Sequence, residues 1–162
     1  MDVKPMNVHA TCVAVDDAGI LIIGPPGSGK SSLALRLIDA SGYGLSGRLM
    51  RAELVSDDQV IVTRQNQVLL ASAPPTIAGK LEIRGLDIVS LSARSSVALA
   101  LVVRLSGSQA IDRLPLQKTY EILGVALPVV EIDETSASAT ARTRAALNWF
   151  TTKAESVARH GS

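Results

Sequence analysis

Gly24, Gly29, Lys30 and Ser31 stand in the order G-x-x-x-x-G-K-S inside the stretch LIIGPPGSGKSSLAL. Each position has a physical job in holding a phosphate. Glycines at 24, 27 and 29 allow backbone conformations closed to other residues, so that successive N–H groups converge on phosphate oxygens at a helix N-terminus. Pro25 and Pro26 have no N–H to give, which assigns the donors to Gly27, Ser28, Gly29, Lys30, Ser31 and Ser32. Lys30 can reach the β- and γ-phosphates of a nucleotide, and the Ser31 hydroxyl can ligate Mg²⁺. GTPases, ATPases and small-molecule kinases all use this pattern, so it implies a nucleotide and leaves the acceptor open.

Asp57 and Asp58 close the strand-like run AELVS that follows the loop and its helix. An acid there can orient Mg²⁺ or take a proton from an attacking hydroxyl. Neighbouring residues of an extended chain point to opposite sides, so only one of the pair is expected to face the site fully. A polar strand end is the plainer reading of the pair taken alone. Glu82, in LEIRG, reads by itself as a surface acid, and His9, just before a strand, as an exposed histidine.

The elements that must position these residues follow from the patterning. HATCVAVDDAGILIIG predicts strands over 10–15 and 20–23, turned at DDAG, the second feeding the glycine loop. From Ser31, the stripe Leu33, Leu37 and Ala40 predicts a helix, with Gly42 as the left-handed residue that ends it. A hairpin of 60–63 and 68–71 is closed by Pro74 and Pro75, and GKLEIRGLDIVSLSA is loop-like around Arg84 and Gly85. SVALALVVRL reads as a buried central strand, DRLPLQKTYEILG as a short helix or turn, and ALPVVEI as another strand. The segment from about 137 to 160 lacks Gly and Pro and reads as a C-terminal helix. There is no repeat and no linker, so residues 1–162 are expected to form one domain of α/β class.

Composition narrows the function classes. Of the 162 residues 47% are hydrophobic but only 2% aromatic, which calls for thin layers of Ala, Leu, Val and Ile. A net charge of +1 with no basic block gives no footprint for nucleic acid or an anionic membrane. The lone Cys12, in a strand-like stretch, is expected to be a buried thiol, in keeping with a reducing cytoplasm. No secretion signal or membrane-length apolar run is present.

Taken in order, His9, GPPGSGKSSLAL, LVSDDQV, APP, LEIRGLDIV, DRL and YEILGVALPVVEI resemble the C-terminal catalytic domain of bacterial HPr kinase/phosphorylase. The resemblance covers about residues 8–132 and implies a mixed sheet with flanking helices, shared with the nucleotide-binding core of phosphoenolpyruvate carboxykinase. It implies ATP and Mg²⁺ as cofactors and a serine of HPr, or of an HPr-like phosphocarrier, as acceptor. By position it implies that Lys30 and the loop hold the β-phosphate, that Ser31 and Glu82 take Mg²⁺, and that His9 sits beside the transferred group. It further implies that Asp58, supported by Asp57, accepts the serine proton and donates it back in phosphorolysis. A nearby cation favours the carboxylate and a neighbouring acid favours its protonation, so such a pair can serve in both directions.

The sequence departs from the family at three points. The protein is expected to lack the N-terminal regulatory domain of long family members, Ser32 stands where the family usually has glutamate, and DETSASATARTRAALNWF does not match the family's arginine-containing loop and helix. Arg142 and Arg144 could replace the missing arginine, although solvated helix arginines are the commoner case. Short forms of this kind resemble alphaproteobacterial ones, whose partner belongs to a nitrogen-related phosphotransferase system, and self-association is left open. Three readings follow: a protein-serine kinase, a small-molecule kinase on the same core, and a nucleotide-binding sensor. An exposed apolar surface on LEIRGLDIVSLSA would favour a protein acceptor.

Overall fold

The computed structural model describes residues 3–114 and 116–161. Among the described residues eleven strands and two α-helices follow one another as β1 (Met6–Val8), β2 (Thr11–Val15), β3 (Ala18–Ile23), α1 (Lys30–Asp39), β4 (Ala52–Ser56), β5 (Val60–Gln65), β6 (Val68–Ser72), β7 (Lys80–Ile83), β8 (Asp87–Ser90), β9 (Val97–Leu105), β10 (Lys118–Ile122), β11 (Val125–Ile132) and α2 (Ala139–His160), with a short 3-10 turn at Ser108–Ala110. Nine strands make one mixed sheet, and β7 and β8 form a separate hairpin. This is the α/β class expected.

The strand directions explain why chemistry collects at one edge. β3, β9 and β11 run parallel, so Ile23, Leu105 and Ile132 leave the sheet on the same side. β2 runs antiparallel to β3, with Thr11 opposite Ile22, and therefore starts at that edge. β4 is antiparallel to β2, with Ser56 opposite Cys12, and ends there. The phosphate loop, the His9–Thr11 entry, the Asp57–Asp58 exit and the residues after Ile132 thus share the edge where open α/β sheets bind ligands.

Both faces of the sheet are covered. On one, Ile20, Ile22, Leu101 and Val103 pack against Leu33, Ala34 and Leu37 of α1 and Ala139 and Leu147 of α2. On the other, Leu21, Cys12 and Val102 pack with residues of β5, β6, β10 and β11. Leu21 and its neighbours Ile20 and Ile22 go to opposite cores because side chains alternate along a strand. At roughly 25 cal/mol per Å² of apolar area removed from water, these aliphatic layers are the main stabilising term. Cys12 is fully buried, and burial pushes its thiol well above the ordinary range, so it is an inert core group.

Several local expectations need correction. α1 starts at Lys30 and ends at Asp39, so Ala40 is an exposed, extended cap and not part of the buried stripe. Gly42 does not end the helix in a left-handed conformation: it bridges Met50, and Gly44 carries the positive φ, at 57°. The segment read as helix or turn contains β10, joined to β11 at Leu123–Gly124 with φ of 49° and 79°. Two positive φ values define the tight hairpin turn, and Arg64 Nη1 anchors it by donating to the Leu123 carbonyl at 2.8 Å. The alternation of Tyr120 and Ile122 was too short to outweigh the mixed polar composition around it. Pro115, in the same segment, lies outside the described residues.

Candidate active site

The loop between β3 and α1 is built as its residue types demand. Gly27 and Gly29 take φ of 77° and 98°, in the left-handed region where glycine is free of strain. Gly24 is needed for a different reason: a Cβ there would lie 2.6 Å from Ser28 Oγ. Lys30 is nearly buried, and its Nζ folds back to donate to the carbonyls of Gly24 at 2.9 Å and Pro25 at 3.0 Å. The ammonium is thereby held inside the loop as a point charge. Ser28 Oγ is buried without a hydrogen-bond partner among the described residues, leaving a donor for a bound oxygen.

The two aspartates divide their work through one backbone feature. Gln59 N–H donates to the Asp57 carbonyl at 2.8 Å, closing a three-residue turn with Asp58 at its centre at φ 68°. This conformation is uncommon for a residue with a Cβ, and Asp is among the few types that tolerate it. The kink sends the carboxylates apart. Asp57 is buried and accepts from Thr11 Oγ1 at 2.9 Å, from Ser31 Oγ at 2.7 Å and from Glu82 N–H at 3.3 Å. Asp58 is exposed, with His9 Nδ1 3.5 Å from its Oδ1.

A cavity of about 520 Å³ lies over this edge. Gly27, Ser28, Gly29, Lys30, Ser31 and Ser32 form one wall, and His9 with Asp58 another. Glu82 and Arg84 of the β7–β8 hairpin reach in beside them. Of the residues expected from the sequence, Gly24 and Asp57 do not line the cavity; they shape it from behind. The Ser31–Asp57 pair, with Glu82 close by, presents hard oxygen donors of the kind that hold Mg²⁺ next to a nucleotide. No cluster of three or more His, Cys, Asp or Glu able to hold a metal alone occurs among the described residues. Mg²⁺ in nucleotide sites takes one or two carboxylates plus phosphate oxygens.

The sequence reading missed four lining residues: Thr11, Arg84, Glu134 and Thr135. For the last two the signal was available. ALPVVEI was read as a strand, and if parallel to β3 its following residues must emerge beside the loop. Arg142 and Arg144 are not in this cavity. Arg144, far from being solvated, is buried and donates to the carbonyls of Leu37, at 3.0 Å, and Ala40 at the end of α1. Arg142 is exposed and lines a separate groove near Trp149.

The model of the HPr serine kinase C-terminal domain matches residues 3–158. The chain belongs to this family. An HPr kinase/phosphorylase of Chloroherpeton thalassium is 34% identical over 138 residues, which cover 78% of this chain and 38% of that protein. HPr kinase/phosphorylase 1 of Oceanobacillus iheyensis is 34% identical over 133 residues, covering 75% and 40%. The chain therefore spans about two fifths of the length of the curated relatives it matches. The structure of the HPr(Ser) kinase/phosphatase from Coxiella burnetii superposes with a TM-score of 0.76 at 24% identity, covering 93% of this chain and 99% of that one, a likeness of fold. Within the family's fold, no helix among the described residues is long and apolar enough to cross a membrane.

Proposed function

We propose that this chain is an ATP- and Mg²⁺-dependent serine kinase acting in the cytoplasm on HPr or an HPr-like phosphocarrier. The observation that carries the reading is that Lys30, a cation set within a phosphate loop, and Asp58, an exposed carboxylate beside His9, line one cavity. In the forward direction the acceptor serine oxygen bonds to the γ-phosphorus of ATP as the bond to the β–γ bridging oxygen breaks. Asp58 takes the hydroxyl proton, and Lys30 with the loop N–H groups stabilises charge on the departing ADP. Ser31 and Glu82 would hold Mg²⁺, with Asp57 fixing the Ser31 hydroxyl. The metal supplies neutralisation of phosphate charge. In reverse, inorganic phosphate attacks phosphoserine, pyrophosphate leaves, and protonated Asp58 returns its proton to the serine oxygen.

The nature of the acceptor is supported by the β7–β8 hairpin. Leu86 and Ile88 are 71% and 63% exposed on the element that brings Glu82 and Arg84 to the cavity. Apolar side chains offered to solvent beside a reaction site favour docking a protein over enclosing a small molecule. The test is transfer of labelled γ-phosphate from ATP with Mg²⁺ to the HPr-like protein of the same organism. Label on the carrier that is lost when its acceptor serine is changed to alanine is the expected result. ATP binding without any labelled carrier would overturn the protein-kinase reading.

A further inference from the structure

Glu134 lines the cavity without an assigned role. It follows β11, and its position over the loop is tightly specified: a Cβ built on Gly29 would lie 2.8 Å from Glu134 Oε2 and from Cδ. The backbone beneath it is held on both sides. Arg36 of α1 donates from Nη1 to the Glu134 carbonyl at 2.8 Å and from Nη2 to the Ser136 carbonyl at 3.4 Å. Asp133 accepts from the Thr135 N–H at 2.9 Å and from the Thr135 hydroxyl at 2.7 Å. The carboxylate itself is half-buried and makes no ion pair among the described residues.

An anion so placed faces two possible roles. A metal-ligand role would place it with Ser31 and Glu82, whereas its carboxylate lies against Gly29, on the loop backbone. As a neighbour of Gly29 it lies beside the N-terminus of α1, whose partial positive charge attracts any carboxylate within reach. A polyphosphate seeks the same helix end and carries the same sign of charge.

We propose that Glu134 is an electrostatic gate on the phosphate loop, which bound polyphosphate must displace, and which therefore selects metal-complexed over metal-free polyphosphate. The inference rests on the reading of the loop as a phosphate site. Selection follows from charge: Mg²⁺ removes two units from the ligand, so the repulsion it meets at Glu134 falls accordingly.

Calorimetric titration of the chain with ADP and with pyrophosphate, in EDTA and in saturating Mg²⁺, tests this with Glu134→Gln. The variant keeps the shape of the side chain and leaves the Arg36 contact, which is to backbone, in place. The metal-free Kd should tighten on the order of tenfold, the Mg²⁺-complexed Kd by less, and both gains should shrink as salt is raised. Glu134→Ala should behave in the same direction. Unchanged affinity, an equal gain in both series, or weaker binding would overturn the gate while leaving the loop as a phosphate site. Absence of binding by folded wild type and variant alike would instead overturn the phosphate-loop reading, and the gate with it.

Discussion

The Ser31 hydroxyl donates to Asp57 Oδ1 at 2.7 Å, joining the first turn of the helix after the phosphate loop to the end of β4. The same oxygen accepts from Thr11 at the start of β2, and the other accepts from the Glu82 backbone. One buried carboxylate thus fixes three elements around the cavity, and its charge strengthens each of those bonds.

Asp57→Ala is expected to leave those three donors without their acceptor. The cost should be about 1–3 kcal/mol, with a Tm fall of roughly 2–4 °C for each kcal/mol in a domain of this size. Mg²⁺-dependent nucleotide affinity should fall too, because the Ser31 hydroxyl is no longer aimed. Asp57→Asn should be intermediate in thermal melts, since its amide keeps one acceptor but turns an N–H toward the Glu82 N–H. A variant with Ala that melts and binds like the wild type would show Asp57 to be a bystander.

Asp58→Asn separates chemistry from binding. Asn tolerates the positive φ of 68° as Asp does, so the turn should persist. It cannot take a proton at pH 7. Phosphoryl transfer to the carrier should therefore drop by at least about a hundredfold, as loss of a positioned general base typically does, while the calorimetric Kd for ADP stays within about twofold. Undiminished transfer would remove Asp58 from the mechanism.

How much of this was legible beforehand depended on the range of the interactions. The loop was readable because Gly24, Gly29, Lys30 and Ser31 are local and each type has one job. The division between Asp57 and Asp58 was half-readable: alternation separates their side chains, but the turn that sharpens the separation is a backbone event fixed by the Gln59 hydrogen bond. For Glu134 and Thr135 the strand before them was readable, but their place depends on β11 lying parallel to β9, a pairing between segments distant in sequence. Arg144 was misjudged for a related reason. Nothing in its own helix signals that the carbonyls of Leu37 and Ala40 wait for it across the interface.

Arg144 therefore makes a stability prediction rather than a catalytic one. Burial pushes its guanidinium below the ordinary arginine value, and its N–H groups cap the end of α1 by donating to the Leu37 and Ala40 carbonyls. Arg144→Met keeps the stem and removes the donors, which should cost about 1–3 kcal/mol in urea unfolding. Arg142→Ala, at an exposed position two residues away, should stay within about 0.5 kcal/mol of the wild type. Neither change should alter nucleotide affinity. A catalytic loss in a folded Arg144→Met protein would contradict the capping role.

Asp133 gives a prediction in pH. The Ser108 hydroxyl, the Thr135 hydroxyl and the Thr135 N–H all donate to its carboxylate, holding its pKa down from the ordinary 3.8 to about 2. A depressed carboxylate contributes stability that is present above its unfolded value and is lost as pH falls through the folded one, here between about 4 and 2. In an NMR titration the Thr135 amide resonance should hold nearly still from about pH 5 to pH 3, where an ordinary aspartate is half titrated near 3.8. In Asp133→Asn it should start from a different position and show no such titration at all. A midpoint near 3.8 in the wild type would mean the three donors do not hold the carboxylate in solution. This clasp sits one residue before Glu134, so the backbone beneath the proposed gate is tied through Asp133 to Ser108 and Thr135 while that carboxylate is ionised.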